Sequence, residues 1–372
     1  MQKKKYLGNF GELGKLKEKT GAIIAIGGCM MQEPHVVEKL NKSYPFIDII
    51  FGTHTLHKFE EDLQNVLKNK EKIQDIIDID GEIYEGLPVK RGSSNKASVT
   101  IMYGCNNFCV YCIVPYVRGR ERSRKPEDIL KEIEDLAKEG YKEITLLGQN
   151  VNSYKGECRE GPMCPSGKGE CRGRIACDQQ TTTFAQLLQE VDKIPGIEKI
   201  NFLSPHPKDF GDDVIDAIAG SSKISRLIHI PLQSGSTNVL KKMNRRYTKE
   251  QYLELIQKIK DKIPEAAFST DIIVGFPEET EEDFEDTLDA LRKVGFEQIF
   301  MFIYSRRIGT PADKIKSQVP EAVKHERFDR LKELYEKQVE ENNKKCIGQV
   351  YRILVEGHSK NNPDMLSRQN RF

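Results

Sequence analysis

Cys105, Cys109 and Cys112 stand in the pattern C-x-x-x-C-x-x-C, directly after a β-branched run. That spacing lets one short loop wrap three thiolates around a single metal group. Three thiolates fill three corners of a 4Fe-4S cube and leave one iron open, whereas an electron-transfer cluster takes four Cys. An open iron invites a chelating ligand. The competing reading is a zinc loop short of its fourth ligand, or three incidental thiols; zinc sites favour pairs of Cys two to four residues apart, which weighs against it.

Beside this loop lies a basic run, Arg118, Arg120, Arg122, Arg124 and Lys125, interrupted among charged residues only by Glu121, with Tyr111 and Tyr116 close by. Arginines interleaved with aromatic rings suit phosphate contact and base stacking on an unpaired nucleic-acid loop. A second basic set, Lys241, Lys242, Arg245 and Arg246, reads as a solvated face. Any such contact must be local, because 58 Lys and Arg against 57 Asp and Glu leave a net charge of +1. Met30, Met31 and Met102 read as core packing.

The elements that must position these groups follow from the hydrophobic pattern. From Ala97 to about Arg306 short β-branched runs alternate with helical periodicity, the signature of repeated βα units on a parallel sheet. Strands are expected at Ser98–Tyr103, Glu143–Leu147, Lys199–Leu203, Leu227–Pro231, Phe268–Val274 and Gln298–Tyr304. Helices are expected at Pro126–Glu139, Thr248–Ile263 and Glu281–Val294, with Thr248 and Gln251 forming a capping box. Six units fall short of a closed eight-fold barrel, so the fold class is α/β with an open six-unit barrel, and its chemistry belongs at the C-terminal ends of the strands. Residues 1–70 form a smaller α/β domain with strands near Ala22–Ile26 and Ile47–Phe51 and a helix at Leu56–Leu67. Residues 71–96 are a polar linker, 97–320 the barrel, 321–348 a connecting helix, and 349–372 the start of a small β domain. The stretch 155–182 is an aperiodic, Cys-rich insertion in a βα loop.

Nine Cys in 372 residues is an odd count that cannot pair completely, and thiols in a reducing compartment serve better as ligands. With 38% hydrophobic and 31% charged residues and no Trp, the composition is that of a globular protein. No apolar run approaches the roughly 18 residues needed to span a bilayer. Met1–Lys5 is basic but is followed by no apolar segment, so no secretory signal is expected and the location is cytoplasmic.

The string from Tyr103 through Cys105, Cys109 and Cys112 to Arg124 resembles the signature of the radical S-adenosylmethionine methylthiotransferases, and within them the MiaB type that acts on tRNA. The resemblance continues through Leu147–Ser153, Ser204–Pro207, Pro231–Ser236, Lys242–Tyr247, Asp271–Pro277 and Tyr304–Ser305. It implies a radical-SAM barrel with an N-terminal α/β domain and a TRAM-like C-terminal β-barrel that binds RNA. The open iron would bind S-adenosylmethionine, and one electron would cleave it to methionine and a 5′-deoxyadenosyl radical. The radical would act at carbon 2 of an isopentenylated adenine next to the tRNA anticodon, and the product would carry a methylthio group. A second 4Fe-4S cluster in the N-terminal domain would deliver sulfur. A low-potential flavodoxin- or ferredoxin-like electron donor, the tRNA anticodon loop as partner, no membrane and a monomeric state complete the expectation.

Within that resemblance Gly148 and Gln149 take the place of a turn beside the methionine amino group, and Gly275 would let the adenine lie against backbone. Ser204, His206, Gln233 and Ser234, at the ends of the third and fourth strands, are further cofactor candidates; His206 between two prolines and Gly275 before Phe276-Pro277 could equally be loop and turn residues. Cys29, in Gly27-Gly28-Cys29-Met30-Met31-Gln32, resembles the third ligand of the second cluster. The two preceding Cys are absent, since Met1 stands where the segment after the second should be, and a shortened N-terminus is the expected reason; the C-terminal β-barrel is expected to be shortened too. On that basis this chain is expected to cleave S-adenosylmethionine without completing methylthio transfer. Cys158, Cys164, Cys171 and Cys177 could make a zinc site, though their gaps are wide, or stand idle, or replace the missing cluster ligands. Two functions compete with the leading one: methylthiolation of threonylcarbamoyladenosine in tRNA, and a catalytically incomplete RNA-binding metal protein.

Overall fold

Along each barrel strand, apolar residues turn to the helices while every second residue faces inward, so the inward set is free to be polar. The computed structural model describes residues 10–77, 83–86, 89–92, 95–158, 181–350, 355–358, 362 and 366–368. These fall into two compact units. One comprises the described residues up to Val89 with Tyr103–Asn106 and Ile113–Arg122; the other comprises Lys90–Met102, Asn107–Cys112 and the described residues from Ser123 onward. Two short segments inside the expected barrel range thus group with the N-terminal unit.

In the first unit, strands β1 (Ala25–Gly27), β2 (Ile49–Phe51) and β3 (Ile73–Asp75) pair in parallel in that order. Helices α1 (Phe10–Thr20), α2 (Pro34–Ser43) and α3 (Phe59–Asn69) belong to it. Phe10, Ile24, Met31, Val37, Leu40, Ile47 and Ile50 form its core. The strand β3 corrects the expectation of a linker over 71–96. A run too polar to be read as a strand from its own pattern is recruited by the open edge of β2, where its backbone completes the ladder Ile49 to Ile73. Gly27 is required where it stands, because a Cβ there would lie 2.1 Å from the Phe51 ring.

The second unit holds six parallel strands in sequence order: β4 (Lys96–Thr100), β5 (Glu143–Leu147), β6 (Lys199–Phe202), β7 (Leu227–His229), β8 (Ala267–Val274) and β9 (Gln298–Ile303). A single parallel bridge, Ile200 to Ile224, joins the two three-stranded halves. Among the described residues no pairing links β4 to β9, so the barrel is open as expected. Val99, Ile144, Leu146, Ile200, Ile228, Phe268 and Ile272 share one core with Ile129, Ile133 and Leu136 of the helix Pro126–Lys138. Thr248 with Gln251 forms the expected capping box on Lys249–Lys262, and Thr280 with Asp283 does the same for Glu281–Val294.

Glu321–Lys345 is a helix packed against β9. Val355–His358 and Leu366–Arg368 pair as an antiparallel ladder. Of the 155–182 insertion, Lys155–Glu157 pairs with Thr181–Thr183; Cys164, Cys171 and Cys177 lie outside the described residues. No helix among the described residues is long and apolar enough to cross a membrane.

Candidate active site

The loop carrying the three Cys leaves the end of the first barrel strand through Gly104, whose φ of +74° and closeness to backbone exclude any side chain: a Cβ would lie 2.0 Å from the Arg120 carbonyl oxygen. That approach lets the Cys105 amide donate to the Gly119 carbonyl at 3.2 Å. Asn106 and Glu121 exchange hydrogen bonds, Asn106 N to Glu121 Oε1 at 3.1 Å and Glu121 N to Asn106 Oδ1 at 3.3 Å. In the second unit the loop is fixed from behind by the turn at 243–247. Asn244 Nδ2 donates to the carbonyls of Asn107 (3.2 Å) and Phe108 (3.1 Å), and Val110 N donates to Met243 O at 3.1 Å. Phe108 sits at φ 47°, an unfavourable conformation for an aromatic residue that these bonds hold in place. Cys105 and Cys109 are buried, Cys112 is half-buried, and no described Cys is in a disulfide.

Arg245, placed on a solvated face by the sequence reading, is instead 5% exposed, which corrects that expectation. Its Nε donates to Tyr247 Oη at 2.9 Å and its Nη2 to the Pro231 carbonyl at 2.9 Å, while Nη1 stands 3.6 Å from Cys109 Sγ. The turn, with Asn244 at φ 60° and Arg246 at φ 57°, holds Arg245 buried and Arg246 exposed. Tyr111 lies in the same interior; burial pushes its phenol well above the usual range against the lowering effect of Arg245.

Among the described residues no three Cys, His, Asp or Glu side chains crowd together closely enough for one metal ion. The donor chemistry, three thiols in C-x-x-x-C-x-x-C with a buried guanidinium against Cys109, fits a 4Fe-4S cluster with one iron left open.

The expected cofactor residues divide. Gly148 is a close-approach position, with Met102 Cγ 2.6 Å from a would-be Cβ, and Gln149 keeps a buried Oε1 with no hydrogen-bond partner. His206 is buried: Asn152 binds its backbone on both sides, at 2.8 and 2.9 Å, its Nδ1 accepts from the Lys208 amide at 3.2 Å, and its Nε2 has no partner. Burial first, then Arg245, Lys208 and Arg246, push its pKa down to about 2, so the imidazole is neutral. Gln233 (φ 71°) continues the ladder to β8 through Asp271 and Ile273, and Ser204 also has a positive φ, 62°. Two expectations are corrected. Ser234 is fully buried against Thr287 at 3.3 Å and its Oγ accepts from the Ser236 amide, so the hydroxyl is used inside the fold. The space in front of Gly275 is taken by Lys324, whose Cγ lies 2.3 Å from a would-be Cβ, so the glycine admits a helix side chain rather than an adenine.

The basic run divides as well. Arg120 and Lys125 are exposed, while Arg122 is half-buried and donates to Arg118 O at 3.0 Å. Arg118 Nε donates to Cys29 Sγ at 3.2 Å within the first unit. Arg124 is buried, its Nη1 bonded to Thr100 O at 2.7 Å and to Glu132 Oε2 at 2.8 Å, which removes it from the RNA-contact set.

The barrel interior is a cavity of about 520 Å³. One wall is polar: His229 Nδ1 lies 3.0 Å from Ser269 Oγ and its Nε2 3.7 Å from Asp271 Oδ2, with Asn201 bonded to Glu143 at 2.7 Å. Leu203, Phe300 and Phe302 form an apolar wall with 45, 41 and 51% of their surfaces exposed. The sequence reading did not single these out; polar residues at alternate positions of otherwise apolar strands were the available signal. Ser204 also lines this cavity.

Residues 99–291 match the model of the Radical SAM superfamily. The chain is 51% identical over 368 residues to the tRNA-2-methylthio-N(6)-dimethylallyladenosine synthase of Clostridium perfringens, covering 99% of this chain and 78% of that one. It is 52% identical to the protein of the same name from Clostridium tetani, covering 98% and 76%. Among solved structures it is similar to the radical S-adenosylmethionine methyltransferase TsrM from Kitasatospora setae, which holds cobalamin and a 4Fe-4S cluster. The TM-score is 0.55 at 15% identity, over 82% of this chain and 62% of that one. The cobalamin-dependent radical enzyme OxsB is similar at TM-score 0.52 and 18% identity, over 90% and 46%. At those identities the likeness is one of fold.

Proposed function

The chain belongs to the tRNA methylthiotransferases of the radical S-adenosylmethionine superfamily, and from that premise we propose that it adds a methylthio group to carbon 2 of an N6-isopentenylated adenosine next to the tRNA anticodon. The observation that carries this is near-complete coverage at 51% identity by a synthase of that name, together with the three-Cys loop intact and pinned on both sides. Cys105, Cys109 and Cys112 would hold the 4Fe-4S cluster. When bound, that cluster supplies the electron for reductive cleavage of S-adenosylmethionine.

The rest is done by the chain. Gly148 lets a ligand come against backbone, and the unpartnered Gln149 Oε1 offers an acceptor for the methionine ammonium. Neutral His206, with Nε2 open, can take part in a hydrogen bond without adding charge. The cavity sorts the substrate: Asn201, His229, Ser269 and Asp271 offer partners to the adenine edge, and Leu203, Phe300 and Phe302 receive the branched hydrocarbon. An isopentenyl group gains roughly 0.8 kcal/mol per buried carbon on such a wall, whereas the carboxylate of a threonylcarbamoyl group would lose its hydration there. This favours the isopentenyl substrate over the alternative. Arg120 and Lys125, both exposed, would face the phosphates of the anticodon loop, and a low-potential donor supplies the electron. The enzyme works with its tRNA, in the cytoplasm.

The test is mass spectrometry of tRNA from cells lacking their own enzyme, with and without this gene. Accumulation of 2-methylthio-isopentenyladenosine is the outcome the 51% identity to a synthase supports, and it would overturn the expectation, drawn from the two missing Cys, of cleavage without methylthio transfer; methylthiolation of threonylcarbamoyladenosine alone would overturn the assignment. Phe300→Ala with Phe302→Ala should raise KM for prenylated tRNA about tenfold, from loss of buried aromatic surface.

A further inference from the structure

Arg245 is a buried cation whose neighbours do not account for its charge. Two of its three nitrogens are met by neutral acceptors, the Pro231 carbonyl and the Tyr247 hydroxyl. Tyr247 Oη lies 2.9 Å from the Leu232 carbonyl, so it carries a proton to donate there and is a neutral phenol. Among the described residues no Asp or Glu forms an ion pair with Arg245. A buried charge without a counter-charge is strongly unfavourable, and folds place one only where an anion completes it. The group beside the third nitrogen is Cys109 Sγ, at 3.6 Å from Nη1.

We propose that Arg245 is a positioning and tuning residue for the cluster: its guanidinium donates a charge-assisted hydrogen bond to the Cys109 thiolate and raises the reduction potential of the 4Fe-4S group. The inference rests on the reading that Cys105, Cys109 and Cys112 hold that cluster. The physics has a definite sign. Reduction adds one negative charge to the cluster, and a fixed cation in a water-poor setting stabilises the reduced state more than the oxidised one. Arg245 fits this role because its position is over-determined, with Nε and Nη2 tied and the guanidinium carbon 5.2 Å from the Tyr247 ring centroid. A lysine could not satisfy those acceptors and the sulfur together.

The experiment is an EPR-monitored reductive titration of the anaerobically reconstituted full chain without S-adenosylmethionine, with iron and sulfide counted on each sample. Arg245→Met should disfavour reduction by about tenfold, equivalent to about 59 mV more negative for one electron. Arg245→Lys should move the potential in the same direction by less. Tyr247→Phe keeps the guanidinium and the ring, and should stay within about twofold of the parent by the same conversion. Arg246→Gln, which removes an exposed charge next in sequence, should do likewise. If Arg245→Met does not hold iron, Arg245→Lys decides alone. An unchanged potential in the loaded Arg245 variants, with weaker S-adenosylmethionine binding instead, would assign the guanidinium to the ligand's carboxylate and overturn the proposal. A Tyr247→Phe shift as large as that of Arg245→Met would assign the effect to packing and overturn it too. Failure of the parent chain to assemble a cluster would instead strike the functional reading on which the inference rests.

Discussion

Cys29 and Cys109 each meet a guanidinium, one pair in each unit. Arg118 Nε stands 3.2 Å from Cys29 Sγ, both groups half-buried, and Arg118 lines a cavity of about 270 Å³ with Gly28, Thr53, His54, His57 and Tyr84. Arg245 stands 3.6 Å from Cys109 Sγ with both residues under 9% exposed and its other nitrogens held by fixed acceptors. The chemistry of the two contacts is the same and the solvent is different. Water screens the first pair and lets its side chains rearrange, whereas the second is a fixed charge at low dielectric. An arginine's role in this molecule is thus set by what surrounds it.

The largest expected effect separates the two thiols. Cys109→Ala should abolish formation of 5′-deoxyadenosine, because two thiolates do not retain the cluster, whereas Cys29→Ala should leave that rate within about twofold. Chromatography of 5′-deoxyadenosine after reconstitution measures both. Equal losses would break the distinction between the pairs.

The contrast between buried and hydrated guanidinium groups extends to the basic run. Arg124→Gln removes a buried donor to Thr100 O and Glu132, although Glu132 keeps Arg91 at 2.9 Å, and should cost about 3 kcal/mol of stability. Arg120→Gln should cost less than about 0.5 kcal/mol. Urea denaturation of the two variants compares them directly.

His206 reports the same interior charge through pH. Its folded pKa, near 2, lies below the ordinary 6.5, so as pH falls below 6.5 the unfolded chain takes up a proton that the folded chain refuses. Stability from this group is present above pH 6.5 and is lost toward acid, by about 2 kcal/mol between pH 7 and pH 5. His206→Gln should flatten that part of the profile. An unaltered slope would show that the imidazole is charged in the fold.

The smallest effect tests the exposed arginine as an RNA contact. Arg120→Gln should reduce the slope of log affinity for tRNA against log salt by about 0.7 to 0.9, the contribution of one phosphate contact. An unchanged slope would give Arg120 no phosphate.

Much of the framework was legible in the chain. Glu143–Leu147 and Glu281–Val294 coincide with their observed bounds, and Thr248 with Gln251 marks a helix start, because a period of two or 3.6 and a cap are properties of neighbouring residues. The C-x-x-x-C-x-x-C spacing belongs to the same class, since chain length between thiols fixes which of them one loop can gather. The strand Ile73–Asp75 was illegible, because its partner Ile49–Phe51 and not its own pattern makes it a strand.

What the tertiary structure alone decided is burial. Arg245 and Arg246 are adjacent and alike in sequence, yet one lies under the cluster loop and the other in solvent. Arg120 and Arg124 divide in the same way. The space that Gly275 leaves open in the chain is filled by Lys324, from a distant helix. Spacing along the chain determined which groups could reach one another. The water around each charge is removed by residues remote in sequence, and that removal turns one arginine into a surface contact and another into a fixed field.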